Sequence, residues 1–127
     1  MQITGGCHCG NVAYRASGST KNALICHCTD CQVMSGTVYR TVMFVDESNF
    51  ELLRGELKLY VKTADDGNRR AMMFCDNCGC HIYATNVDRS APRTFGVRLG
   101  TSDQRHKIIP RTEVWEQSKL AWLGETI

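Results

Sequence analysis

All eight cysteines of this 127-residue chain fall in three tight clusters: Cys7-His8-Cys9, Cys26-His27-Cys28-Thr29-Asp30-Cys31 and Cys75-Asp76-Asn77-Cys78-Gly79-Cys80. Thiolates at such spacings can grip one soft divalent cation, and a four-thiolate zinc site needs two pairs brought together by the fold. Cys75-x-x-Cys78-Gly79 has the form of a zinc knuckle, where glycine permits the tight backbone that turns amides toward the sulfurs. Cys7-x-Cys9-Gly10 is a shorter version, with Gly5 and Gly6 as a flexible entry. Together the two pairs are expected to close one four-cysteine zinc site. Disulfides fit this chain less well. The opening Met-Gln-Ile-Thr-Gly-Gly-Cys has neither a basic nor an apolar leader segment, so the expected compartment is the cytoplasm, where thiols stay reduced.

The central cluster differs. Cys26, Cys28 and Cys31 put three thiolates on one strand-to-turn segment. Three protein ligands with one position open hold catalytic zinc, whereas four close a structural site. Cys80 is the unassigned thiol. As a fourth ligand it would close a second four-cysteine site, but its place two residues from Cys78 argues for a position beside the other ion. Spacing leaves both arrangements open. His8 and His27 each lie between two cysteines and in extended chain point to the opposite face, as supporting or core residues. His81 could reach the central site, and His106 lies in a polar stretch expected at the surface.

The elements that must position these clusters read as short strands. Val12, Tyr14 and Ala16 alternate with Ala13 and Arg15, and Leu57, Leu59 and Val61 alternate with Lys58, Tyr60 and Lys62. Ala23–Cys26, Val38–Val45, Ala71–Phe74, Ile82–Thr85, Thr94–Leu99 and Thr112–Trp115 complete about eight candidates. One helical turn is expected over Thr29–Ser35, with Thr29 as N-cap and Gly36 at its end. Asp46–Asn49 could form another turn, while Thr63–Asn68 and Asp88–Arg93 read as exposed loops. The expectation is one all-β domain, residues 1–127, whose thin core is stapled by metal.

Composition excludes several classes. At 43% hydrophobic and 22% charged residues the chain is neither disordered nor fibrous. No apolar run approaches the ~18 residues that cross a bilayer, so no membrane partner is expected. The formal charge is +2, and Arg69-Arg70 is the only adjacent basic pair, a weak footprint for nucleic acid. Two zinc ions with seven thiolates would turn even that charge slightly negative. Self-association is left open.

Read in order, Gly5-Gly-Cys-His-Cys-Gly10, Cys26-His-Cys-x-x-Cys31, Phe74-Cys-x-x-Cys-Gly79 and Val114-Trp-Glu followed by Leu120-Ala-Trp resemble the glutathione-dependent formaldehyde-activating family. That family includes the centromere protein V-like proteins. The resemblance runs from Gly5 to Leu123 and implies a β-tent of small coiled antiparallel sheets with two zinc ions per chain. By position, Cys7, Cys9, Cys75 and Cys78 match the structural zinc ligands, and Cys26, Cys28 and Cys31 match those of the catalytic zinc. Cys80 lies outside the seven-cysteine pattern, so the resemblance favours an open central site. In this family basic residues often follow the third central cysteine. Gln32 and Val33 stand there instead, which predicts weaker glutathione binding or another thiol.

The implied activity is a carbon–sulfur lyase of the S-(hydroxymethyl)glutathione synthase type, adding a thiol to formaldehyde or another small aldehyde. An open position on a zinc held by three cysteines suits holding a substrate thiol as thiolate. His27, His81 and Asp30 are acid–base candidates among which the sequence does not choose. Arg40, Arg69, Arg70 and Arg98 could pair with glutathione carboxylates, but each is expected as an ordinary surface arginine. Two other functions compete: a zinc protein that binds glutathione or another thiol without turnover, and a zinc-ribbon interaction module. The second predicts a closed site and a basic face.

Overall fold

The apolar and β-branched runs fold as ten strands, described over all residues Met1–Ile127 in a computed structural model. They are β1 (Gln2–Gly6), β2 (Ala13–Ser17), β3 (Ala23–Cys26), β4 (Arg40–Asp46), β5 (Phe50–Arg54), β6 (Leu57–Thr63), β7 (Arg69–Cys75), β8 (His81–Asn86), β9 (Thr94–Arg98) and β10 (Thr112–Val114). One short helix, α1 (Thr29–Ser35), follows β3. A small sheet has the order β1-β2-β5, and a larger one the order β10-β3-β4-β9-β8-β7-β6. The all-β expectation holds. Every pair is antiparallel except β10, which lies parallel to β3. No helix is long and apolar enough to cross a membrane.

Register decides what each face of the large sheet carries, because residues directly opposite in an antiparallel pair project to the same side. Cys26 faces Arg40, and Val42 faces both Leu24 and Arg98. Ala84 faces Gly96 and Met72, and Lys62 faces Arg70. One face therefore bears Cys26, four basic residues and a strip of apolar side chains. The alternate residues Ala23, Met43, Val45, Phe95 and Val97 turn to the other face and form the core with Ile3, Tyr14 and Ala16 of the small sheet. Phe50 joins the layers, its ring 5.3 Å from Tyr14 and 5.0 Å from Tyr83. Aromatic contacts of this kind add to the burial of the rings themselves.

Three local expectations change. Gly5 and Gly6 are not a flexible lead. They sit in β1, where a Cβ on Gly5 would collide with the Thr101 carbonyl and Tyr14, and one on Gly6 with the Val12 carbonyl. The N-cap of α1 is Cys28 rather than Thr29: its Sγ accepts the Cys31 amide at 3.3 Å. Strands β1 and β5 lie outside the segments that apolar alternation marks.

Candidate metal centres and active site

Strand β1 runs into the Cys7–Gly10 turn, and β7 ends at Cys75 before the Cys75–Gly79 turn, so packing of the two sheets brings these turns together. The sulfurs of Cys7, Cys9, Cys75 and Cys78 lie within 4.8 Å of one another. Cys7 and Cys9 are 3.5 Å apart, and Cys9 and Cys75 3.7 Å. Gly10 and Gly79 both adopt left-handed backbone, with φ of 86° and 76°. A side chain at either place would meet open space, so glycine is needed there for conformation. The turns aim amides at sulfur: Val12 N–H donates to Cys7 at 3.2 Å, and Asn77 N–H donates to Cys75 at 3.4 Å. Backbone hydrogen bonds from Cys9 and Cys80 pull the Cys78 thiol down to about 6. Four sulfurs, amide donors and a thiolate favoured near neutrality make a donor set suited to a tetrahedral soft cation.

The second cluster is built by one segment. Cys26 ends β3, Cys28 caps α1 and Cys31 lies in its first turn, so their sulfurs also gather within 4.8 Å. Sulfur contacts with Cys26 and Cys31 pull the Cys28 thiol strongly down, while the same crowding pushes Cys31 up. Three thiols in mutual contact cannot all ionise unless a cation joins them. The donor set therefore fits a divalent metal held by three thiolates. Cys80 does not join this cluster. Its thiol, raised by burial, is influenced by Cys78, Cys7 and Cys9, and it lies on the side of the four-sulfur group.

Two clefts open beside the three-sulfur cluster. One, of about 370 Å³, is lined by Cys26, Cys31, Val42, Met72, Arg70 and Arg98, together with Lys62 and Trp115. The other, of about 320 Å³, contains Cys28, Asp30 and Asp65 and shares Lys62 and Trp115. Trp115 is 57% exposed and is the only non-glycine residue with positive φ, at 57°. Left-handed backbone outside glycine costs of order 1–3 kcal/mol, and such strain concentrates at functional sites.

A sequence model of the glutathione-dependent formaldehyde-activating enzymes matches residues 2–118. The chain belongs to this family. A crystal structure of a Rhodobacter sphaeroides protein shares the fold, with a TM-score of 0.65 at 21% identity over 87% of this chain and 99% of the other. For a member of the formaldehyde-activating family, two separate cysteine clusters that could hold metal are the expected architecture.

Within that family frame, the acid–base candidates narrow. His27 is wholly buried, and its Nε2 lies 2.8 Å from Glu113 Oε1. Glu113 is itself held by Thr126 and Lys119, and the Thr126 and His27 hydrogen bonds draw its carboxyl down to about 2. The pair ties β10 and the C-terminal segment to the turn between β3 and α1, and the His27 side chain has no exposed surface. Asp30 is engaged by Lys62 at 2.8 Å. His81 lies in a third cleft with Arg40 and Arg98, its pKa lowered by burial and then by their charges, and is outside the three-sulfur cluster. His8 and His106 are exposed, as expected for His106.

Gln32, standing where a basic residue was expected, has a structural task. Its Nε2 donates to the His27 carbonyl at 2.8 Å and to the Ser118 carbonyl at 2.9 Å, while Val33 faces solvent. The surface expectation for the arginines fails at two positions. Arg40 is only 5% exposed, and Arg98 is largely enclosed. The strand pattern of 38–45 carries no sign of this, because the face to which Arg40 turns is set by pairing with β3 and β9.

Proposed function

We propose that this chain, as one unit over residues 1–127, adds a thiol, glutathione or a similar molecule, to formaldehyde or another small aldehyde. The product is an S-(hydroxymethyl) adduct, and the reaction read backwards is a carbon–sulfur lyase. On this reading Cys7, Cys9, Cys75 and Cys78 hold a structural zinc, and Cys26, Cys28 and Cys31 hold a second zinc at the active site. The observation that carries it is the three-sulfur cluster, which gathers no fourth protein ligand and opens onto two clefts. A zinc ion held by Cys26, Cys28 and Cys31 would supply Lewis acidity that favours the thiolate form of a bound thiol near neutral pH.

The chain's own residues do the rest. Cys28 N-caps α1, which fixes the cluster on a rigid turn. Trp115 and the apolar side chains of Val42, Met72 and Ala84 line the cleft beside Cys26 and Cys31. Lys62, Arg70 and Arg98 place positive charge around a site that collects thiolate. In the addition, the sulfur–carbon bond forms as the carbonyl π bond breaks, and the thiol proton ends on the former carbonyl oxygen. Proximity is the main contribution on this reading, with thiol and aldehyde brought together beside the three sulfurs.

Aldehyde and thiol also combine spontaneously, so the test is rate. The zinc-loaded protein with formaldehyde and glutathione should form adduct faster than the buffer reaction in proportion to enzyme concentration, followed by NMR exchange or a coupled dehydrogenase. A rate equal to the uncatalysed one would leave a thiol-binding protein without turnover.

A further inference from the structure

We infer that Arg40 and Arg98 form an anion subsite beside the three-sulfur cluster, built to receive a carboxylate of the thiol substrate. This rests on the proposed function for the identity of the ligand, but the anion site itself stands on geometry. Arg40 opens β4 directly opposite Cys26, and Arg98 ends β9 opposite Val42, two residues further along β4 on the same face. The two guanidinium groups line one cleft of about 420 Å³ with Ser35, Tyr39 and His81. Arg98 also lines the cleft of Cys26 and Cys31, so it joins the two spaces.

Neither arginine has an anion. Every ion pair of the chain involves other cations: Arg15, His27, Lys62, Arg93 and Lys119. Arg40 Nη1 and Arg98 Nε are buried without any hydrogen-bond partner. Arg98 donates only to the Gly96 carbonyl, at 3.3 Å. Buried charge without a partner is costly, and two like charges side by side add to that cost. Burial, followed by the charge of Arg40, pulls Arg98 well below the usual guanidinium range. Guanidinium does not give up its proton in a protein, so the stress is relieved by an anion instead.

The metal centre alone does not supply that anion. A divalent ion with three thiolates leaves one net negative charge, set against Arg40, Arg70 and Arg98 together. The cleft that Arg40 and Arg98 share is lined on its far side by Gly79, Cys80 and His81, and none of Cys26, Cys28 and Cys31 lines it. The far end of the array therefore keeps surplus positive charge. A planar carboxylate can accept two hydrogen bonds from one guanidinium fork, and a second arginine adds selectivity for that shape. The ligand class is a thiol carrying a carboxylate a few bonds from sulfur.

Isothermal titration of the zinc-loaded, full-length protein tests this with four probes: glutathione, its diethyl ester, S-methylglutathione and 2-mercaptoethanol. Wild-type protein should bind the ester about 10- to 100-fold more weakly than glutathione, the span expected for losing charge-assisted hydrogen bonds. Arg40→Gln should lose a similar factor for glutathione and none for 2-mercaptoethanol, and Arg40→Lys should recover part of it. S-methylglutathione keeps both carboxylates without a free thiol. If it alone binds, and does so in an Arg40-dependent way, the anion subsite stands while the thiol-addition reading falls. Equal affinity of wild type for glutathione and its diethyl ester overturns the subsite, with no variant required.

Discussion

Cys75→Ser is expected to abolish the native fold at ordinary temperatures. Cys75 is wholly buried, belongs to the hydrophobic core and ends β7, while its sulfur meets those of Cys7, Cys9 and Cys78. The four-sulfur group ties the turn after β1 to the end of β7, residues far apart in the chain. Structural zinc contributes an apparent ~10–16 kcal/mol at neutral pH, and whole domains are stable by only ~5–15 kcal/mol. Losing one ligand removes most of that contribution, and no other feature of the core can offset it. Circular dichroism melting and zinc content would show a chain without a cooperative transition. A soluble variant with wild-type Tm and full zinc would remove the structural role from this group.

Cys28→Ser is expected to do the reverse, sparing the fold and ending the chemistry. The three-sulfur cluster is built from one local segment on the face of the large sheet opposite the core, so few tertiary contacts depend on it. Serine is a good N-cap and can replace the Cys28 sulfur as acceptor of the Cys31 amide, so α1 should persist. The variant should melt within roughly 1–2 kcal/mol of wild type, a usual range for one substitution away from the core. It should carry one zinc instead of two, and its rate with formaldehyde and glutathione should fall to the buffer rate. Unfolding of Cys28→Ser would show that the central cluster is structural as well.

The contrast between these variants follows from information that is already local in the sequence. Both cysteine turns, the helix over 29–35 and Gly36 at its end depend on short spacings, which sequence displays directly. Most strands are legible because apolar alternation marks their buried face. Strand β5 escapes because it is an edge strand whose Leu52 and Leu53 are both exposed, leaving no alternation. Strand β1 escapes because Gly5 and Gly6 look like a loop until Thr101 and Tyr14 are seen against them. The cap falls at Cys28, one residue before the position that sequence suggests, since cysteine is an unusual capping side chain and Thr29 a common one.

The site is less legible than the fold, for a physical reason. Cys26 faces Arg40 only through the register of β3 with β4, and Arg98 joins them only through β4 with β9. His27 finds Glu113 across 86 residues because β10 lies parallel to β3. Nothing in the types or spacing of these residues announces such pairings. The sulfur clusters can be read from the chain, whereas the charged surroundings that suit them to an anionic thiol require the sheet.

The central claim is that the three-sulfur centre offers a coordination position to an external thiol, and cobalt-substituted protein tests it most directly. Cobalt held by thiolates absorbs through sulfur-to-metal charge transfer, so a new sulfur ligand is visible in the spectrum. On titration with glutathione the account predicts a stronger charge-transfer band that saturates at one thiol per chain, is absent in Cys28→Ser and is unchanged in Cys80→Ser. A spectrum indifferent to thiol, together with loss of one cobalt in Cys80→Ser, would contradict it by showing a centre already closed by the protein.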